Sequence, residues 1–163
     1  MKTSVKSLSK AGLFAAVIFV FTAYLHIPSH TGYTHVGDAF IFLAACFLPT
    51  PYAIGAGVIG ASLADLLSGY AIWVPATAII KGLTAACFSD RGERVLTRRN
   101  KWALVWADLL CIFGYYLYEA LICGSFATPL LGVWGYIIQC LGSNLLFILV
   151  ALAIDGHKKR ASK

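Results

Sequence analysis

Apolar runs of membrane-spanning length follow one another along this chain and leave it few folds to choose from. A helix crossing a bilayer needs about 20 apolar residues, within a range of roughly 17 to 25. Such segments fall at 11–27, 36–48, 52–69, 73–88, 102–123 and 131–154. The second and fourth are short, which a bundle tolerates when neighbours cover their ends and polar backbone lines a cavity. Prolines punctuate the series at Pro28, Pro49, Pro51, Pro75 and Pro129. Only 12% of the 163 residues are charged, about half the share of a soluble domain, and mean hydropathy is +0.79. The expectation is one all-α membrane domain, residues 1–163, built as six transmembrane helices.

A net charge of +6 could suggest nucleic acid, but its distribution excludes that partner. Of thirteen Lys and Arg residues, twelve flank apolar segments. Lys2, Lys6 and Lys10 precede the first. Arg91, Arg94, Arg98, Arg99 and Lys101 occupy the central polar segment, and Lys158, Lys159, Arg160 and Lys163 form the tail. Basic flanks set topology and meet lipid headgroups. Six spans with the N-terminus inside place all twelve in the cytoplasm, together with both termini, and leave the external segments 28–35, 70–72 and 124–130 without a cation. The N-terminal apolar run is long for a signal peptide and has no small-residue cleavage site, so it reads as a helix.

Five single cysteines lie inside apolar runs with no CxxC or Cys/His spacing, which points to small buried hydrophobes and to no metal site. HExxH, GxSxG and P-loop motifs are missing, so nothing marks an enzyme, and ATP-driven work would need other chains. A self-sufficient carrier, with Asp65, Lys81 and Glu119 as a proton relay, and a purely structural membrane subunit are the other classes open to such a chain.

Ionisable groups at membrane depth are costly and mark function by default. Asp38, Asp65 and Lys81 are expected to form a structural ion pair or triad across helices two to four, because a buried lysine needs a carboxylate partner. Glu119 has no obvious partner and, beside Tyr115, reads as a ligand anchor. Asp108 falls near the inner end, facing water or capping. On helix six, Gln139 and Ser143 share a face with Asn144 next to it. Their amides suit the mixed edges of a heteroaromatic ring or serve as interhelical glue. The first external loop carries His26, His30 and His35 with Tyr33. Its spacing does not favour metal ligation; a lid over an outward-facing pocket fits better, with Tyr33 or Trp73 stacking on a planar ligand. In helix one, Ala11 and Ala15, like Gly12 and Ala16, are four apart, a smooth stripe for packing inside the bundle or for docking another subunit.

Several stretches together resemble a known family. They are Ile27-Pro28 with Gly32-Tyr33-Thr34-His35-Val36-Gly37-Asp38-Ala39, then Ala61-Ser62-Leu63-Ala64-Asp65-Leu66-Leu67-Ser68-Gly69-Tyr70, Pro75-Ala76-Thr77 and Ile80-Lys81-Gly82, and finally Gly114-Tyr115-Tyr116-Leu117-Tyr118-Glu119 and Asn144. The chain resembles the substrate-binding S components of energy-coupling factor (ECF) vitamin transporters, in the branch with hydroxymethylpyrimidine, pyridoxine and riboflavin members. The resemblance implies capture of a vitamin or precursor at the outer face, no cofactor, and partnership with a transmembrane coupling subunit and two cytoplasmic ATPases. Release inside would follow toppling in the bilayer. It also implies docking through Ala11 and Ala15, a scaffold role for Asp38, Asp65 and Lys81, and ligand contacts from helices five and six at Glu119 and Asn144. A carboxylate suits an aminopyrimidine or a protonated ring nitrogen, which places the hydroxymethylpyrimidine or pyridoxine class first and riboflavin second.

Overall fold

The computed structural model describes residues 5–29, 32–88 and 94–161; Lys2, His30, Arg91 and Lys163 lie outside them. Helix α1 runs Val5–Ala23, α2 Asp38–Phe47, α3 Thr50–Leu67, α4 Val74–Cys87, α5 Arg98–Cys123 and α6 Val133–Ala161. Four of these, α1, α3, α5 and α6, are long and apolar enough to cross a membrane. The chain is thus an all-α, multi-pass membrane bundle.

The helices differ from the apolar runs at their ends for identifiable reasons. At the basic side α1, α5 and α6 continue past the hydrocarbon core, because Lys and Arg are good helix formers whose long stems reach the headgroups. At the opposite side α1 stops at Ala23, four residues before the expected end. The chain there forms an antiparallel hairpin of β1 (His26–Pro28) and β2 (Tyr33–His35), with Ile27 opposite Thr34. Pairing two extended segments satisfies backbone groups that a frayed helix end would leave open.

Helix α2 has ten residues, eight of them buried, and spans only about 15 Å. Helices α1, α3, α4 and α6 enclose most of it, and Phe47 at its end is exposed. Its inner end rests on the Phe42, Phe88 and Phe147 rings, with Phe42 stacked on Phe88 at 4.7 Å. The closest helix pair is α1 with α3. A Cβ at Gly60 would stand 2.6 Å from the Ala15 carbonyl oxygen, so only glycine permits that approach.

The basic side is tied together by Asp155 on α6, whose two oxygens accept from the backbone N–H groups of Val95 and Leu96 at 2.8 and 3.0 Å. Thr97 caps α5 by accepting from the Asn100 N–H at 3.1 Å. Outward-facing side chains of α5 and α6 are apolar, among them Phe113, Leu117 and Leu121, and Ile138, Leu141 and Leu145. They form the lipid-facing surface.

Candidate ligand-binding cavity

At the end of the bundle away from the basic clusters, the hairpin, α3, the turn before α4, α4, α5 and α6 together line a cavity of about 30 Å3. The hairpin supplies Gly32, Tyr33 and His35, α3 supplies Asp65, and the turn before α4 supplies Trp73. Thr77 of α4, Tyr115 of α5, and Tyr136 and Gln139 of α6 complete it. The aromatic walls are ordered against one another, with Tyr115 and Tyr136 stacked at 5.6 Å and 21°, and Trp73 edge-on to Tyr115 at 5.9 Å. The hairpin closes one side. Thr34 Oγ1 donates to the Gly135 carbonyl at 3.2 Å, and a Cβ on Gly32 would touch the Trp73 indole.

A salt bridge lies behind the lining residues Gln139 and Tyr115. Lys81 Nζ lies 2.8 Å from both Asp38 oxygens, with each side chain almost wholly buried. Gln139 Nε2 donates to Asp38 Oδ2 at 3.0 Å, and the ammonium sits 5.1 Å from the centre of the Tyr115 ring. Of the pair or triad expected here, Lys81 and Asp38 form the pair, and Asp65 makes no salt bridge with Lys81. Helix geometry places the Asp65 carboxylate beside the hairpin, where the Tyr33 hydroxyl donates to Oδ1. Asp65 lines the cavity; its Oδ2 is buried without a close hydrogen bond among the described residues, with the Thr77 hydroxyl beside the carboxylate. Thr77 Oγ1 and the Tyr115 hydroxyl share a hydrogen bond at 3.0 Å.

His35 is buried at the same wall and accepts from the Gly37 N–H through Nδ1 at 3.1 Å. Burial pushes its pKa down to about 4, so the ring is neutral at pH 7 and the proton sits on Nε2 as a donor. Burial, with the Asp65 carboxylate adding to it, holds the Tyr33 phenol above its ordinary range.

Two expected ligand contacts lie elsewhere. Glu119 is fully buried behind the wall, where Tyr136 donates to its Oε2 at 2.6 Å. A Cβ on Gly132 would come within 3.3 Å of the same oxygen. The carboxylate therefore holds Tyr136, and Tyr136 presents its ring to the cavity. Asn144 sits five residues beyond Gln139, about 7.5 Å nearer the basic side, and donates to Asp108 Oδ2 at 2.8 Å. It binds α5 to α6 and does not line the cavity; Asp108 is its acceptor rather than a cap. Expected contacts Tyr33, His35, Trp73, Tyr115 and Gln139 do converge there. Thr77 and Tyr136 were missed, although Tyr136 precedes Gln139 by three and so shares its face. The Ala11–Ala15 side of α1 is also corrected as a docking surface. Ala11 is buried in the core and Ala15 packs against it, whereas Gly12 and Ala16 face outward.

The described residues hold no group of three or more His, Cys, Asp or Glu suited to a metal ion. A polytopic bundle with an aromatic, polar-spotted cavity open toward one membrane face is a membrane-embedded small-molecule binding protein. The sequence model of the ECF-type riboflavin transporter S component family matches residues 2–155, nearly the whole chain, and the chain belongs to that family. It is accordingly the substrate-specificity subunit of an ECF transporter, which is not an enzyme and works with a transmembrane coupling subunit and ATPase modules to import a vitamin. No curated protein matches the sequence.

Proposed function

We propose that the cavity captures a planar, unphosphorylated nitrogen heterocycle at the outer face, with the hydroxymethylpyrimidine or pyridoxine class ahead of riboflavin. The supporting observation is Asp65, which lines an aromatic cavity and whose Oδ2 is buried without a close hydrogen bond among the described residues. Such an oxygen calls for an N–H or O–H donor on the ligand, and charge-assisted bonds of this kind are the strong ones. The rings of Tyr33, Trp73, Tyr115 and Tyr136 offer faces and edges to a flat molecule.

Charge argues against a phosphate or carboxylate on the cargo. The cation nearest the cavity, Lys81, already contacts both oxygens of Asp38, and an added anion would face Asp65. The enclosed space, about 30 Å3, holds about one water, so any cargo requires side chains or the hairpin to give way. The family's name points to riboflavin, whose three fused rings and ribityl chain would require the hairpin to swing outward. The coupling subunit meets the outward Gly12–Ala16 stripe of α1. A Cβ at Gly12 has nothing within 4 Å, which leaves room for a close helix crossing.

Mass spectrometry of small molecules that co-purify with the full chain, followed by calorimetric titration of hydroxymethylpyrimidine, pyridoxine, riboflavin and pyridoxal phosphate, tests the reading. Tight binding of a single-ring compound with no binding of the phosphate ester is expected. Tight riboflavin binding with no single-ring binding would move the assignment to the larger vitamin, and preference for the phosphate ester would overturn the charge argument.

A further inference from the structure

The basic side of the bundle carries a second concavity, of about 390 Å3, between the start of α5 and the last turns of α6. Arg94, Lys101 and Lys159 line it, against one carboxylate, Asp155. Both Asp155 oxygens accept backbone N–H bonds from Val95 and Leu96, and its charge offsets one of the three cations. The first turn of α5 begins beside the same groove, and its open N–H groups add partial positive charge.

The groove is not polar throughout. Leu152 lines it and is exposed, and the exposed Leu149 and Leu145 continue from it toward the membrane centre at helical spacing. On α5, Trp102 and Trp106 are each 61% exposed, one turn apart, and tryptophan favours the headgroup level of a bilayer. A cationic head pocket thus opens onto an apolar track. An acidic protein surface would match the cations but has no use for the leucine track, which runs into the lipid.

We propose that this groove is a binding site for one anionic phospholipid of the inner leaflet. Its phosphate lies between Arg94 and Lys101, and an acyl chain follows Leu152, Leu149 and Leu145. Basic pockets between transmembrane helices on the cytoplasmic side are suited to such headgroups. Occupancy would bridge the α4–α5 connection to α6, adding to the link that Asp155 makes from within.

Native mass spectrometry of the full chain, released from nanodiscs of equal parts phosphatidylglycerol and phosphatidylcholine, tests the site. Wild-type protein is expected to retain one phosphatidylglycerol in clear preference to phosphatidylcholine. Each cation removed, by Arg94→Gln or Lys101→Gln, should lower that retention roughly fivefold, and the pair about 25-fold. Arg160→Gln removes the same charge from outside the groove and should leave retention unchanged. Leu149→Asn, with every cation kept, should also lower it, which a bare anion site would not show. Equal retention of the two lipids overturns the proposal, as does an Arg160→Gln loss as large as that of Lys101→Gln. Retention of inorganic phosphate in place of lipid, or loss of phosphatidylglycerol to an added acidic polypeptide, overturns it as well.

Discussion

The Tyr33 hydroxyl on the external hairpin donates to the Asp65 carboxylate near the end of α3, two residues 32 apart in sequence. The bond joins the cavity's cover to its wall and engages only one of the two carboxylate oxygens.

Replacing Asp65 by Asn keeps the shape but removes the charge. A hydrogen bond to a charged group contributes about 1.5–3 kcal/mol, so Asp65→Asn should weaken cargo binding roughly 10- to 100-fold by calorimetry. Unaltered affinity would remove Asp65 from the contact set.

Glu119→Gln preserves an acceptor for the Tyr136 hydroxyl. A neutral bond of this kind is worth about 0.5–1.5 kcal/mol. Glu119→Gln and Tyr136→Phe should therefore weaken binding by similar factors, tenfold at most. If Glu119→Gln abolishes binding and Tyr136→Phe does not, the carboxylate touches cargo itself.

Lys81→Met leaves the Asp38 carboxylate buried without its cation. Breaking one side of a buried pair costs about 3–5 kcal/mol, so the melting temperature in detergent should fall sharply. The double variant Lys81→Met/Asp38→Asn should recover much of the loss; a double variant as unstable as the single one would argue against the pair as the source.

Gly12→Trp or Ala16→Trp should block uptake by the assembled transporter while cargo binding stays normal. Ala11→Trp, by contrast, places the indole in the core and should depress expression. Assembly that tolerates both outward tryptophans would show that docking uses another face.

Lowering the pH should destabilise the fold through His35. Its folded value, about 4, lies below the ordinary value near 6.5, so the unfolded chain binds the extra proton between the two. Stability from this residue is present above about pH 6.5 and is lost as pH falls toward 4, at no more than about 1.4 kcal/mol per pH unit. Melting curves between pH 4.5 and 7 should be flatter for His35→Gln than for wild type. Parallel curves would assign the acid sensitivity elsewhere.

Membrane insertion and helix number were legible in the sequence, because each follows from local composition. A run of apolar residues can satisfy its backbone in lipid only as a helix. Tyr33, His35, Trp73, Tyr115 and Gln139 were also recognisable as an aromatic and amide set near the outer face. Three-dimensional packing decided which polar groups meet. Asp65 and Glu119 both lie toward the end of the bundle away from the basic clusters, and nothing in their spacing says that one lines the cavity while the other holds Tyr136. The same holds on α1, where Ala11–Ala15 and Gly12–Ala16 repeat with one period, and only the close crossing at Gly60 turns the first inward. Periodicity tells which residues share a face; the neighbour that covers the face is a property of the whole bundle.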